Sequence, residues 1–225
     1  MHYSLENLLE HRNHGLKHNP FKALVAPRPI GWIGTISKAG VFNLAPYSFF
    51  NAVCDAPPIV MFSSAGRKDS LTNVEDTGEF TCSMSTQGLV DAMNLSSAPV
   101  AANVDEFELA HLEVAPSLVV RPPRVAASPS ALECRLWKTL ALPRTDSSQP
   151  EHVVVFGHVV AIYIDDAFVK DGIVDTGAMR PLARMGYMDY SVVRPESVFT
   201  LNRPVVTEDR QSASLRSGPW DGTYR

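Results

Sequence analysis

Apolar runs with the length and composition of β-strands follow one another in the first third of the chain. Residues 30–36, 44–53 and 59–63 are rich in β-branched and aromatic side chains, and Gly, Pro and Asn bound them. Runs of this kind, punctuated by turn residues, are typical of strands. The pattern therefore predicts three strands in close succession.

The pattern changes to helical spacing after the third strand. Leucine and valine recur three residues apart within residues 69–77, where Asp69 is the candidate N-cap and Gly78 the residue that ends the helix. Residues 86–95 show helical spacing behind a candidate threonine cap, and residues 104–111 predict a further short helix. Three short helices are expected in this part of the chain.

Strand patterns return in the second half. Residues 132–140 alternate apolar with polar side chains, which predicts a half-buried strand, and the apolar run 153–164 predicts its buried partner. The polar connection at 142–152 has the length of a hairpin loop. Strands at both ends with short helices between them favour a mainly β fold, an antiparallel barrel with appended helices, over a doubly wound sheet.

The ends of the chain differ from this central part. Residues 1–20 form an N-terminal arm that Gly15 interrupts, and residues 203–225 form a polar tail, expected to be ordered only against a partner subunit. The single domain between them spans residues 21–202.

Composition narrows the class of function. The chain has 225 residues, 45% of them hydrophobic, and a formal net charge of -4. This size supports one domain with a full core, and the charge argues against a nucleic-acid or membrane partner, since both favour basic patches. A small-molecule substrate is expected.

Cysteine usage and the N-terminus indicate the compartment. The three cysteines, Cys54, Cys82 and Cys134, have no CxxC spacing and apolar neighbours, which predicts buried, inert thiols in a reducing environment. The N-terminal residues lack the continuous apolar core of a signal peptide, and the run 153–164 is shorter than a membrane-spanning helix. A cytoplasmic protein is expected.

A candidate anion site lies at the start of the first predicted helix. Arg67 and Lys68 directly precede it, where free backbone N–H groups favour a phosphate. The hydroxyls of Ser63, Ser64 and Ser70 add hydrogen-bond donors. The alternative is a solvated basic turn, the usual explanation of an arbitrary Arg-Lys-Asp-Ser sequence.

The preceding strand favours the phosphate. A proline kink is followed by Ser48, Phe49, Phe50 and Asn51, which offer backbone amides and small polar groups beside aromatic surface. A flavin, apolar on its faces and polar along one edge, requires that combination.

Several segments in order resemble one family, the flavin reductase-like, FMN-binding split-barrel proteins. The resemblance runs from about residue 21 to residue 195, and its segments are RPIGWIGTIS, NLAPYSFF, DAPPIVMFS, GRKDSLTNVEDTGEF, DEFELA, PPRVAASPSALECRL and RPLARMGYMDY. Ordered matches over such a span are more specific than a lone motif. The resemblance implies a homodimer of antiparallel six-stranded split β-barrels, each with FMN near the subunit interface.

The resemblance also implies which residues bind the cofactor. The flavin ring system would lie along Ala45, Pro46, Tyr47, Ser48, Phe49, Phe50 and Asn51. The phosphate would be held by Ser63, Ser64, Arg67, Lys68 and Ser70, and Asp69 is included among the cofactor-binding residues of the same segment. Trp32, Thr35 and Asn43 are weaker candidates.

A late segment matches the family where its members approach the flavin, from the second subunit. Its residues here are Arg184, Met185, Gly186 and Tyr187. An equally good explanation from the residues is a turn that packs at the dimer interface.

The expected chemistry is hydride transfer from NADH or NADPH to flavin and on to an unidentified acceptor, such as a monooxygenase partner. Because flavin accepts hydride directly, no catalytic side chain is assigned. The chain lacks GxGxxG and GK[ST], so the nicotinamide is expected to bind without a Rossmann unit. The alternatives are an electron carrier that serves a protein partner and a split-barrel module that binds a ligand without redox turnover.

Two histidine features are further candidate sites. His11, His14 and His18 have helical spacing, but no carboxylate or thiol completes a metal-ligand set, so no metal is expected. His158 lies in the apolar run 153–164, where a structural role is more common than contact with flavin or nicotinamide.

Overall fold

The computed structural model describes residues 1–144 and 149–223. The strands run over Arg28–Pro29 (β1), Gly31–Ile36 (β2), Phe42–Tyr47 (β3), Phe50–Asp55 (β4), Pro58–Ala65 (β5), Glu79–Met84 (β6), Val114–Ala115 (β7), Arg124–Val125 (β8), Ser130–Ala141 (β9), His152–Ile164 (β10), Val169–Lys170 (β11), Ile173–Val174 (β12), Leu182–Arg184 (β13), Tyr190–Val192 (β14), Val205–Val206 (β15) and Ala213–Ser214 (β16). The α-helices run over Phe21–Leu24 (α1), Asp69–Thr77 (α2), Val90–Leu95 (α3), Glu106–Leu109 (α4) and Thr176–Met179 (α5). Short 3₁₀ turns occur at Glu10–Arg12, Gln87–Leu89, Asp166–Phe168 and Pro195–Ser197.

The central feature is an antiparallel sheet. Within the described residues it has seven strands in the order β3-β2-β6-β9-β10-β5-β4. Its two edge strands, β3 and β4, follow each other in the chain and are joined by Ser48 and Phe49 alone, so the sheet must curl until its edges meet. The expected mainly β fold is confirmed.

The sheet has one strand more than the six expected, because the run 44–53 is not a single strand. The chain leaves β3 after Tyr47 and begins β4 at Phe50, while the Phe49 carbonyl accepts a hydrogen bond from the Ser63 N–H at 2.9 Å. At this break the chain passes from one edge of the sheet, β3, to the other edge, β4. The pairing of these strands depends on residues distant in the sequence, so the apolar pattern of residues 44–53 does not indicate it.

Helix α2 has the bounds that the sequence predicts. Gly78 ends it in the left-handed region at φ 76°, where glycine is favoured, and Leu71 and Val74 are buried on its inner side. The predicted N-cap is wrong by one residue. Lys68 occupies that position with extended backbone and makes no side-chain cap bond, and Asp69 is the first helical residue.

The other predicted helices are shorter than expected. Residues 86–95 divide into a 3₁₀ turn and α3, and Thr86 precedes the turn without a side-chain cap bond. Residues 104–111 contain only α4, capped by the Asp105 carboxylate, which accepts the Phe107 N–H at 2.7 Å. The predicted hairpin is confirmed as β9 paired with β10, and residues 145–148 of its loop lie outside the described residues.

Two hydrophobic clusters hold the sheet. One lies inside the curl and contains Phe62 and Phe80, whose rings meet edge to face with centroids 5.5 Å apart. The other joins the outer side of β2 and β3 to α3 and α4, with Trp32 and Phe107 at its centre. The second cluster positions the helices that border the candidate site.

Glu133 of β9 is only 3% exposed, although the alternation predicts that it faces solvent, and its neighbour Cys134 is fully buried at 0%. Cys134 belongs to the cluster inside the curl, so Glu133 lies on the opposite face of the strand, where another segment covers it. The Glu133 carboxylate accepts the backbone N–H groups of Leu118, Val119 and Val120. The Glu133 carboxylate, predicted to face solvent, therefore holds residues 118–120 against the sheet.

The cysteine prediction holds for two thiols and is wrong for the third. Cys82 and Cys134 are buried, and burial raises the pKa of Cys82 to about 12, which keeps it protonated and unreactive. Cys54 is exposed, because β4 is an edge strand whose residues after Phe50 face outward.

The terminal segments lie at the surface. His11 is buried in the first 3₁₀ turn, His14 stacks on Tyr3 and His18 faces Tyr187, so the three histidines have separate surroundings. The tail contains the hairpin of β15 and β16, whose residues are exposed. No helix in the described part of the chain is long and apolar enough to cross a membrane.

Replacing Gly157 with alanine is expected to destabilise the fold by about 1–3 kcal/mol, the range for overpacking a core. A Cβ there would lie 2.3 Å from the Phe80 ring and 3.2 Å from the Cys134 Cβ. Denaturant unfolding measures the loss. The matched control is Gly88→Ala, where a Cβ meets nothing within 4 Å, and equal stability of the two variants would contradict the argument.

Candidate functional site

One cavity of about 800 Å³ brings most of the predicted site residues together. It opens between α1, β3, the end of β5 and the start of α2. The predicted residues that line it are Asn43, Ala45, Pro46, Tyr47, Ser48, Phe49, Ser63, Arg67, Lys68, Asp69 and Ser70. The curl of the sheet thus places two segments distant in sequence on opposite walls of one pocket.

Other lining residues were missed by sequence reasoning. They are Phe21, Lys22, Ala65, Ser96, Ser97, Ala98, Pro99, Val100, Glu106 and His152. Glu106 lies in the DEFELA segment, which resembles the flavin reductase-like family but was assigned only a helix. The small residues 96–98 after α3 could have indicated a further part of the lining, since close approach of the backbone to a ligand requires small side chains.

The anion end of the pocket is built on α2. Arg67 and Lys68 are exposed at its rim, and the backbone before the helix is extended at Lys68. The first turn of α2 presents backbone N–H groups that the helix itself does not use. Arg67 also forms an ion pair with Glu75, with Nη2 and Oε2 2.5 Å apart. Lys68 makes no ion pair within the described residues, which leaves its charge available to a ligand.

Three hydroxyls meet behind this rim. Ser64 Oγ donates to the Gly66 carbonyl at 2.9 Å, and Ser70 Oγ donates to Asn43 Oδ1 at 3.0 Å. The Tyr47 hydroxyl lies close to both serines, but it makes no hydrogen bond of good geometry within the described residues. Burial raises the pKa of Tyr47, so its hydroxyl stays protonated. A buried donor without an acceptor is costly, and a phosphate oxygen at this end of the pocket would satisfy it.

Asn43 is the centre of a buried hydrogen-bond network in the pocket wall. Its Oδ1 also accepts from Thr35 Oγ1 at 3.1 Å, and its Nδ2 donates to Glu106 Oε2 at 2.8 Å. Asn73 of α2 donates to Thr35 Oγ1 at 3.1 Å. These bonds connect β2, β3, α2 and α4, so they fix the relative position of both walls.

Trp32 and Thr35 act from behind the wall, because both are fully buried and neither lines the cavity. The Trp32 indole donates to Ser96 Oγ at 2.9 Å, and Ser96 Oγ donates to the Met93 carbonyl at 2.8 Å. Trp32 therefore positions the small-residue loop that borders the pocket. Ser64 is likewise buried behind the lining.

The other end of the pocket is aromatic and cationic. Phe49 lines it, with Lys22 Nζ and the Arg28 guanidinium each 5.9 Å from the ring centroid. Phe50 and Asn51 lie outside the lining. Phe50 packs on Gly31, where a Cβ would come within 2.5 Å of its ring, and Asn51 is exposed on β4.

The late segment contacts the surroundings of the pocket through α1 and through Arg28, whose guanidinium donates to the Met185 carbonyl at 2.8 Å. Gly186 packs on Ala23, where its Cβ would lie 2.6 Å from the alanine Cβ. Arg184 stacks 4.5 Å from the Tyr190 ring centroid and donates to the Tyr187 carbonyl at 2.5 Å. A direct role for Arg184, Gly186 and Tyr187 from a second subunit stays a prediction.

The family is decided by a sequence match. The family model of the flavin reductase like domain matches residues 24–183, which includes the whole sheet and every residue predicted to bind the cofactor except those at 184 and beyond. The chain belongs to the flavin reductase like family.

Relatives in this family cover most of the chain. An uncharacterized protein of Aquifex aeolicus is 37% identical over 169 residues, 72% of this chain and 83% of the relative. One of Deinococcus radiodurans is 38% identical over 177 residues, 73% of this chain and 74% of the relative.

Solved structures agree on the fold. Nitrilotriacetate monooxygenase component B of Bacillus cereus has a TM-score of 0.76 at 29% identity, covering 85% of this chain and 95% of its own. The 2-nitrobenzoate 2-nitroreductase of Pseudomonas fluorescens has a TM-score of 0.74 at 24% identity, covering 95% of this chain and all of its own (100%). At that identity the second likeness shows the fold alone. The flavin reductase-like split-barrel fold implied by the sequence is confirmed.

Proposed function

We propose that this protein is an FMN-dependent oxidoreductase that takes hydride from NADH or NADPH and passes the electrons to a further acceptor. The observation that carries the proposal is a pocket that joins a basic helix start to an aromatic wall inside a flavin reductase like domain. FMN has a phosphate at one end and a flat ring system at the other, so the two ends of the pocket match it.

The residues present fit this cofactor. Lys68, Arg67 and the first turn of α2 would hold the phosphate, with the buried Tyr47 hydroxyl as a further donor. The backbone of residues 45–49 and the Phe49 ring would orient the flavin ring system. When bound, FMN would supply the hydride and electron chemistry. The chain would bind the cofactor, orient it and exclude water from one of its faces, and no side chain is assigned as acid, base or nucleophile.

We also propose a homodimer and a protein acceptor. Strand β4 is an edge strand of the main sheet, and its residues after Phe50 are exposed. One of them is the apolar Val53, which is 53% exposed. A second copy that covers this strand would bury apolar surface. The similarity to a monooxygenase component B supports a separate acceptor protein.

The proposal predicts that purified protein binds FMN and that NADH or NADPH then bleaches the flavin absorbance within a stopped-flow mixing experiment. Fluorescence titration with FMN measures the first step and the flavin absorption band the second. Failure to bind FMN would overturn the proposal. Binding without bleaching by either nicotinamide would replace the enzyme with an electron carrier.

A further inference from the structure

Glu106 is a buried carboxylate in the wall of the pocket. It is 5% exposed, belongs to α4 and lines the same cavity as Lys68 and Ser70. Its Oε2 accepts two hydrogen bonds, one from Asn43 Nδ2 at 2.8 Å and one from the Leu44 N–H at 3.0 Å. Its Oε1 accepts no bond from another residue in the part of the chain that the structure describes. The two hydrogen bonds that other residues donate therefore reach the same carboxylate oxygen.

Glu106 lies close to the anion end. The Asn43 amide joins it to Ser70 in the first turn of α2, so two hydrogen bonds separate the carboxylate from the helix start. Asp69 is near enough to interact with it electrostatically. Burial raises the pKa of Glu106, and the negative charge of Asp69 adds to the rise. The hydrogen bonds from Asn43, from the Leu44 N–H and from the N–H of Glu106 itself oppose it. The other titratable groups of the pocket lining are Lys22 on α1, His152 on β10, and Arg67 and Lys68 before α2.

We propose that Glu106 weakens the hold of this pocket on the phosphate of FMN, so that the flavin exchanges with solution instead of remaining permanently bound. This inference rests on the proposed function. When ionised, Glu106 places a negative charge in the wall of the cavity that an anionic ligand would occupy, and such charges interact over several ångströms. The two basic residues attract the phosphate and Glu106 opposes them, which makes affinity depend on its protonation.

The bonding pattern provides a matched variant. Both donors reach the same oxygen of Glu106, so the carbonyl oxygen of glutamine can accept both bonds while its amide group replaces Oε1. Glu106→Gln therefore removes the charge and keeps the shape. Glu108→Gln is the control, because Glu108 belongs to the same short helix, is exposed and does not line the pocket.

The test is the dissociation constant for FMN and for riboflavin, measured by fluorescence titration between about pH 5 and pH 9. Above the pKa of Glu106, Glu106→Gln is expected to bind FMN about tenfold more tightly than the natural protein. The difference should become smaller towards the acid end, as Glu106 takes up a proton. Riboflavin, which has no phosphate, should show no such difference, and Glu108→Gln should behave as the natural protein does.

Each other outcome has a distinct meaning. The phosphate of FMN itself titrates near pH 6, but it does so equally for both proteins, so the ratio of their affinities reports Glu106. A ratio that stays constant with pH, or weaker FMN binding by Glu106→Gln, would overturn the inference. Absence of FMN binding by the natural protein would overturn the proposed function instead.

Discussion

Replacing both Arg67 and Lys68 with alanine is expected to weaken FMN binding about 100-fold. Charge-assisted hydrogen bonds contribute about 1.5–3 kcal/mol each when formed, but both side chains are exposed at the rim, so water and salt reduce the sum. A loss of about 2.7 kcal/mol, or two tenfold steps, remains. Fluorescence titration with FMN measures it.

The two single variants should differ. Arg67 already pairs with Glu75 and must give up part of that interaction to bind a phosphate, whereas Lys68 makes no ion pair among the described residues. Lys68→Ala should therefore account for the larger share of the loss. The control is Lys38→Ala, whose ammonium pairs with Asp76 at the other end of α2, 2.8 Å away. Unchanged FMN affinity in the double variant would refute the phosphate assignment.

Replacing Asn43 with alanine is expected to lower the free energy of unfolding by about 3 kcal/mol. The change leaves Thr35, Ser70 and Glu106 without their shared partner in a buried wall, and each unsatisfied buried group costs about 1–3 kcal/mol. Relaxation of the Ser70 and Thr35 hydroxyls offsets part of the sum. Denaturant unfolding measures the change, and Asn94→Ala on the exposed side of α3 is the control.

The loss in this variant should grow with pH. A carboxylate whose pKa is raised by folding stabilises the native state below its unfolded pKa, and this stabilisation is lost as the pH rises through the folded pKa. Asn43 donates a hydrogen bond that lowers the pKa of Glu106. Without it that pKa rises further, so the variant loses more stability towards neutral pH than in acid. Denaturant unfolding at neutral and at acid pH measures the two losses. Equal losses of unfolding free energy under the two conditions would contradict the link to Glu106.

The elements predicted correctly from the sequence are those that depend on residues near one another in the chain. Helix α2 has its expected bounds because glycine at position 78 can adopt the left-handed conformation that ends it, and β9 pairs with β10 as their apolar patterns indicate. The basic pair before α2 lies at the pocket because a helix start follows it directly. Such features depend on neighbours in the chain, which a sequence displays.

The features that were missed depend on distant partners. Nothing near residues 44–53 shows that the chain changes sheet edges after Tyr47, and nothing near Glu133 shows that three backbone amides from another loop surround it. Trp32 was assigned to the cofactor, yet its indole reaches Ser96 from inside the core. Glu106 went unrecognised because its place in the pocket wall requires α4 to pack on β3.

The connection of β3 to β4 by two residues has a consequence for the energetics of the whole domain. The pocket lies where the curled sheet meets itself, and its lining takes residues from β3, from the Ser48–Phe49 joint and from the end of β5. A bound molecule would therefore contact the edge strand β3 and also β5, which lies next to the other edge of the sheet, and would hold the two strands together. Ligand binding and resistance to unfolding would then be linked, because a molecule that binds only the native state stabilises it in proportion to the logarithm of its concentration.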